Sequence, residues 1–113
     1  MPNAPAASAG MTSQGTAHGR FTRAVANGNL RGAEMAAREL GQLSLDDALD
    51  LCRLLAERDP ARFERAALRW LERLIAERLP PLAEIALAAS AFAELRHGDR
   101  QTGVASLERL ARR

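Results

Sequence analysis

A chain of 113 residues allows one domain with one modest core. Hydrophobic residues make up 47% of it, but nearly half of these are alanine, with only three Phe and one Trp, a composition that favours closely packed helices and disfavours a β-rich fold. The net charge is +2, with sixteen arginines and no lysine; arginine does not titrate in the accessible range, so the pI of about 9.9 follows from a small excess and is not in itself a mark of nucleic-acid binding.

Residues 1–18, MPNAPAASAGMTSQGTAH, offer almost no large apolar side chain to offset the entropy of ordering, so they read as a disordered tail. Met11 is an alternative start within it. A single helical domain is expected over 19–113. Its first helix is short and ends at Asn27-Gly28, a dipeptide suited to a left-handed C-cap. The second spans Leu30 to Leu40, with Leu30, Ala33, Ala37 and Leu40 on one side, and stops at Gly41. Ser44 with Asp47 three residues on resembles a capping box and opens the third helix. There Leu45, Ala48, Leu49, Cys52, Leu55 and Ala56 form one stripe as far as about Glu57. Asp59-Pro60 pairs an N-cap with proline at the first helical position and starts the fourth helix. Pro80-Pro81 stops that helix near Arg78.

The fifth helix, about Pro81 to His97, is apolar around most of its circumference, with Ile85 and Phe92 assigned to one side and Leu87 and Leu95 to another. A helix of this kind is buried between neighbours or sits in an interface, so these four residues form a candidate apolar interface. Gly98 caps it, and Asp99 opens a sixth helix that turns Val104, Leu107 and Leu110 inward. The expectation is an all-α fold of six helices in three αα-hairpins, arranged as an irregular α-solenoid or a compact helical bundle.

The stretches NGNLRGAEMAAREL and HGDRQTGVASLERL share a glycine followed by Asn or Asp, a small residue five after that glycine and a leucine twelve after it. This resembles the second helix of a tetratricopeptide-type repeat, and the Asp59-Pro60 pair is similar to the close of such repeats. The steps depart from that family: Asn29 to Asp59 is 30 residues and Asp59 to Asp99 is 40, against a constant period of about 34. The alanine- and arginine-rich texture of residues 20 to 113 also resembles small all-helical proteins of high-GC actinobacteria. Neither likeness carries functional residues with it.

The fourth helix holds the sharpest functional feature. At about 100° per residue, Arg58, Arg62, Arg65, Arg69 and Arg73 fall within an arc of roughly 80° if the register holds back to Arg58. Phe63, Ala67, Trp70, Leu71, Leu74 and Ile75 are placed on the opposite side. Packing explains where the arginines point, not how many there are. Glu72 and Glu77 are spaced to pair with Arg69 and Arg73. Arg58, Arg62 and Arg65 have no partner at i+4. The acidic face of the third helix, Asp46, Asp50 and Glu57, is a candidate partner within the molecule or across a dimer. Otherwise the line is a solvated face, a contact for another protein, or a set of phosphate contacts. Aromatic interleaving and any recognised nucleic-acid motif are missing, which disfavours the last.

No chemistry is legible elsewhere. Asp46, Asp47 and Asp50 resemble the DDxxD metal–diphosphate motif of prenyl synthases in five residues alone, and acidic side chains suit a first helical turn without any metal. His18, His97 and Cys52 lack zinc-site spacing, and Cys52 lies on an apolar stripe. No nucleophile–base set or glycine-rich phosphate loop is present. One cysteine permits no internal disulfide, no signal peptide is visible, and no charge-free apolar run reaches the ~18 residues of a membrane span. The sequence therefore predicts a cytoplasmic, non-enzymatic module for protein interaction or self-association, without cofactor, metal or small-molecule substrate. An accessory nucleic-acid-binding role is the alternative.

Overall fold

A computed structural model describes residues 16–97 and 100–112. Among these residues the chain is all-α, with six helices and no strand. They are α1 (Ala17–Ala26), α2 (Leu30–Leu40), α3 (Leu45–Arg58), α4 (Pro60–Arg78), α5 (Leu82–His97) and α6 (Arg100–Arg112). The chain forms two compact units, one ending at Leu43 and the other beginning at Ser44. No helix among the described residues is long and apolar enough to cross a membrane.

The first unit is the α1–α2 hairpin. Helix α1 starts earlier than the sequence suggests, because the Thr16 side chain accepts a hydrogen bond from the Gly19 N–H at 2.9 Å and caps the helix. Residues 16–18 therefore belong to the fold; the rest of the expected tail, Met11 included, lies outside the described residues. Gly28 takes φ +69° as the C-cap dipeptide requires. Asn29 then caps α2 by accepting from the Gly32 N–H at 3.0 Å. Phe21, Ala24, Ala33 and Ala36 are its buried side chains, and Arg20 is paired with Glu39.

The second unit follows the bundle alternative. Helix α3 packs against both α4 and α6, and α5 does likewise, so the four helices close into a ring. Ser44 accepts from the Asp47 N–H at 3.0 Å and sets the start of α3. Proline at the first position of α4 matches expectation, but Asp59 makes no side-chain cap, its carboxylate being turned to Arg62. The expected caps at Gly98 and Asp99 lie outside the described residues. Gly103 has a clear packing role: a Cβ there would lie 2.6 Å from the Ala91 carbonyl oxygen, so only glycine lets α6 sit this close to α5.

Trp70 organises this core. It is 2% exposed, and its indole N–H donates to the Leu45 carbonyl at 2.8 Å. Its ring meets Phe92 edge-on at 5.5 Å, and Phe92 meets Phe63 edge-on at 6.0 Å. One hydrogen bond and two aromatic contacts thus tie α4 to both α3 and α5.

Candidate protein-interaction surface

The rotation of α4 is set by Phe63, Ala67, Trp70 and Leu74, the buried positions at i, i+4, i+7 and i+11. Opposite them the arginine line is presented outward, with Arg62, Arg65 and Arg69 exposed and Arg73 half-buried; Arg58, also exposed, is not part of it, because it ends α3 and the backbone at Asp59 (φ −149°, ψ +71°) breaks the helical register. Arg73 pairs with Glu77 at 2.8 Å as its spacing suggests. Arg62 is also paired, but backwards, to Asp59 at 2.7 Å. The carboxylate that fails to cap the helix is the one that neutralises it, a possibility hidden by considering only forward partners. The expected Arg69–Glu72 pair is not formed among the described residues, where Arg58, Arg65 and Arg69 have neither hydrogen bond nor ion pair.

Asp46 and Asp50 of the acidic face of α3 do not supply what is missing. Asp50 pairs with Arg53 on its own helix at 3.1 Å, Arg53 reaches Glu108 of α6 at 3.8 Å, and Asp46 lies 3.9 Å from Arg112 of α6. These carboxylates are spent on the α3–α6 seam, away from the arginine line. Burial pushes the Asp50 carboxyl above its ordinary range; Arg53 opposes this, while Asp47 and Glu108 add to it.

The candidate apolar interface on α5 needs correction. Phe92 and Leu95 are only 4% and 2% exposed, alongside buried Ala88 and Ala91. These four follow i, i+3, i+4 and i+7, so Phe92 and Leu95 share one inward stripe instead of facing different ways. Ile85 is half-buried, and of the four only Leu87 is open to solvent. A helix apolar all round gives periodicity no direction to report.

Exposed apolar surface is concentrated nearby, at Leu87 and at four residues that the sequence did not mark as an interface. Six large hydrophobics are exposed among the described residues, and five lie on the α4–α5 hairpin: Leu68, Ile75, Leu79, Leu82 and Leu87. Ile75, assigned to the core stripe from sequence, is 40% exposed. Leu68, Ile75 and Leu79 recur at i, i+7 and i+11, a helical spacing that would have revealed them. Leu79 is the most telling. It is 82% exposed and adopts φ +47°, ψ +55°, closing α4 in the left-handed conformation. That conformation costs a side-chain-bearing residue about 1 kcal/mol or more relative to glycine. Leucine here serves neither the core nor the turn.

The remaining candidates offer no reactive site. Cys52 is buried and its thiol is pushed up to about 12, chiefly by burial, with the charge of Arg69 pulling weakly the other way. A thiol so placed is a small core side chain. Among the described residues no three His, Cys, Asp or Glu side chains gather to hold a metal ion, Asp46, Asp47 and Asp50 included. Comparison with family models, curated proteins and solved structures found no match.

Proposed function

We propose that this protein is a non-enzymatic, cytoplasmic helical module for protein–protein interaction, working through the outer face of the α4–α5 hairpin. The observation that carries the reading is the concentration of five of six exposed large hydrophobics on that one hairpin, including a leucine held in a left-handed turn. Surface leucines scattered singly need no explanation; a cluster rimmed by charge does.

The strength of such a contact follows from its size. Fully burying a leucine or isoleucine side chain is worth roughly 1.5–3 kcal/mol. Since these five are already partly covered, their docking yields on the order of 5–8 kcal/mol. Association costs about 4–15 kcal/mol in lost freedom. Apolar contact alone therefore supports a weak, transient complex of about millimolar strength at best, and the rim charges must add attraction, orientation and rate.

Site-specific photo-crosslinking in the native host tests the reading. A photoreactive residue at Leu68, Leu79 or Leu82 should yield discrete protein adducts, and one at exposed Arg31 or Arg109 should not. Equal yields from both sets would remove the basis for this assignment. The second reading, contact with nucleic-acid phosphates, is favoured by the unpaired, exposed Arg65 and Arg69 on one side of α4 and by Arg58 at the end of α3. Mixed RNA or DNA at low salt tests it, since each phosphate contact contributes a slope near −0.9 in log affinity against log salt.

A further inference from the structure

The start of α4 and the end of α5 enclose an open groove of about 560 Å³. Leu68, itself 59% exposed, lines it together with Arg65, Arg96, His97 and a single carboxylate, Glu64. The groove thus joins one end of the exposed apolar edge to a concentration of positive charge. We infer that it is a docking site for an acidic, apolar-bearing peptide segment of a partner protein, with carboxylates against Arg65 and Arg96 and an aliphatic side chain on Leu68. This rests on the interaction-module reading and adds the chemistry of the partner.

The balance of charge on the hairpin supports an acidic occupant. Arg65, Arg69, Arg78 and Arg96 have no hydrogen bond or ion pair among the described residues. Among the hairpin's described carboxylates only Glu64 and Glu72 are in the same position, Glu77 being paired with Arg73 and Glu84 and Glu94 being engaged as well. A second copy of the chain would bring the same surplus of arginine and scarcely a free carboxylate. Residues 1–15 contain no acidic side chain at all, so they do not complement the groove either. A nucleic acid would supply charge, but the strand would find no Phe or Trp ring to stack on: Phe21, Phe63, Trp70 and Phe92 are all buried. Leucine beside arginine suits a peptide carrying both kinds of side chain.

Selection of a displayed random-peptide library on the immobilised full-length chain tests this without presuming a partner. The recovered peptides should be enriched in Asp and Glu together with Leu, Ile or Phe. Their affinity should fall at least about tenfold in Arg65→Glu/Arg96→Glu, fall similarly in Leu68→Glu, and weaken with added salt. Arg31→Glu and Arg109→Glu should bind as the parent does. Circular dichroism confirms that each variant is folded, and Arg65→Gln/Arg96→Gln replaces the reversal if that one is not. Apolar peptides without acidic enrichment, dependent on Leu68 but indifferent to Arg65 and Arg96, would overturn the inference while leaving the module reading intact. Failure to recover any peptide dependent on Leu68 would overturn both. Tighter binding of a mixed single-stranded oligonucleotide, lost in the same arginine variants, would overturn the inference in favour of a polyanion site.

Discussion

Trp70→Phe is the perturbation that probes the bundle most sharply, because Trp70 ties α4 to α3 by a hydrogen bond and to α5 by ring contact. Phenylalanine keeps an aromatic ring near Phe92 and removes the indole N–H. The Leu45 carbonyl it served lies in the first turn of α3 and retains its helical acceptor role, so the lost bond costs about 0.5–1.5 kcal/mol and not the full penalty of an orphaned group. The smaller ring leaves part of a 2% exposed site unfilled, which adds about 1–2 kcal/mol. The expected destabilisation is therefore about 1.5–3.5 kcal/mol, read by urea denaturation followed by far-UV circular dichroism, since the chain's one tryptophan is lost with the mutation. A change below about 0.5 kcal/mol, the range of an ordinary surface substitution, would show that Trp70 does not anchor these three helices.

Other substitutions separate core from surface on the same hairpin. Leu95→Ala should cost about 2–5 kcal/mol as a buried truncation, whereas Leu68→Ala should stay within about 0.5 kcal/mol; similar denaturation midpoints for the two would mean that the burial pattern of α4 and α5 is wrong. Leu79→Gly relieves the left-handed backbone, a gain of about 1 kcal/mol offset by the greater freedom of glycine in the unfolded chain, about 0.5–1 kcal/mol. Stability should hardly move while affinity for a recovered peptide falls, and a marked loss of stability would show that Leu79 is structural after all. Asp50→Asn tests the electrostatics of the α3–α6 seam. The folded-state pKa of Asp50 is raised, chiefly by burial, so its ionised form is the disfavoured one in the fold. The stability it contributes is present below the unfolded value of about 3.9 and is lost as pH rises through the folded value. Neutralising it should leave Tm unchanged or higher at neutral pH, with the difference vanishing in acid. A clear fall in Tm at pH 7 would mean that the Arg53 pair outweighs burial.

How much of this was readable from sequence depends on whether the determinant was local. The Ser44 cap, the glycine at position 28 and the proline that opens α4 act within a few residues of chain, and each marks its element where expected. The outward direction of the arginines followed from the amphipathic spacing of Phe63, Ala67, Trp70 and Leu74. Long-range matters were not readable. Whether Asp46 and Asp50 face the arginine line or Arg53 and Arg112 depends on α6 closing the ring against α3. Phe92 and Leu95 were split between two sides because α5 has no polar face to orient it. The exposed edge was missed for a different reason: Ile75 was assigned to the core stripe by its apolar identity although it lies at its margin, and Leu68 and Leu79, which share its side of α4, fell in neither the core stripe nor the arginine line.

The central claim is that the α4–α5 hairpin, and not another face, receives the partner. Chemical-shift mapping of the full-length, isotopically labelled chain during titration with a recovered acidic–apolar peptide tests it most directly. Perturbations are expected to gather at Arg65, Leu68, Ile75, Leu79, Leu82 and Arg96, with the α3–α6 seam at Asp46 and Glu108 unmoved. A footprint centred on that seam, or on Met35 of the α1–α2 hairpin, would contradict it.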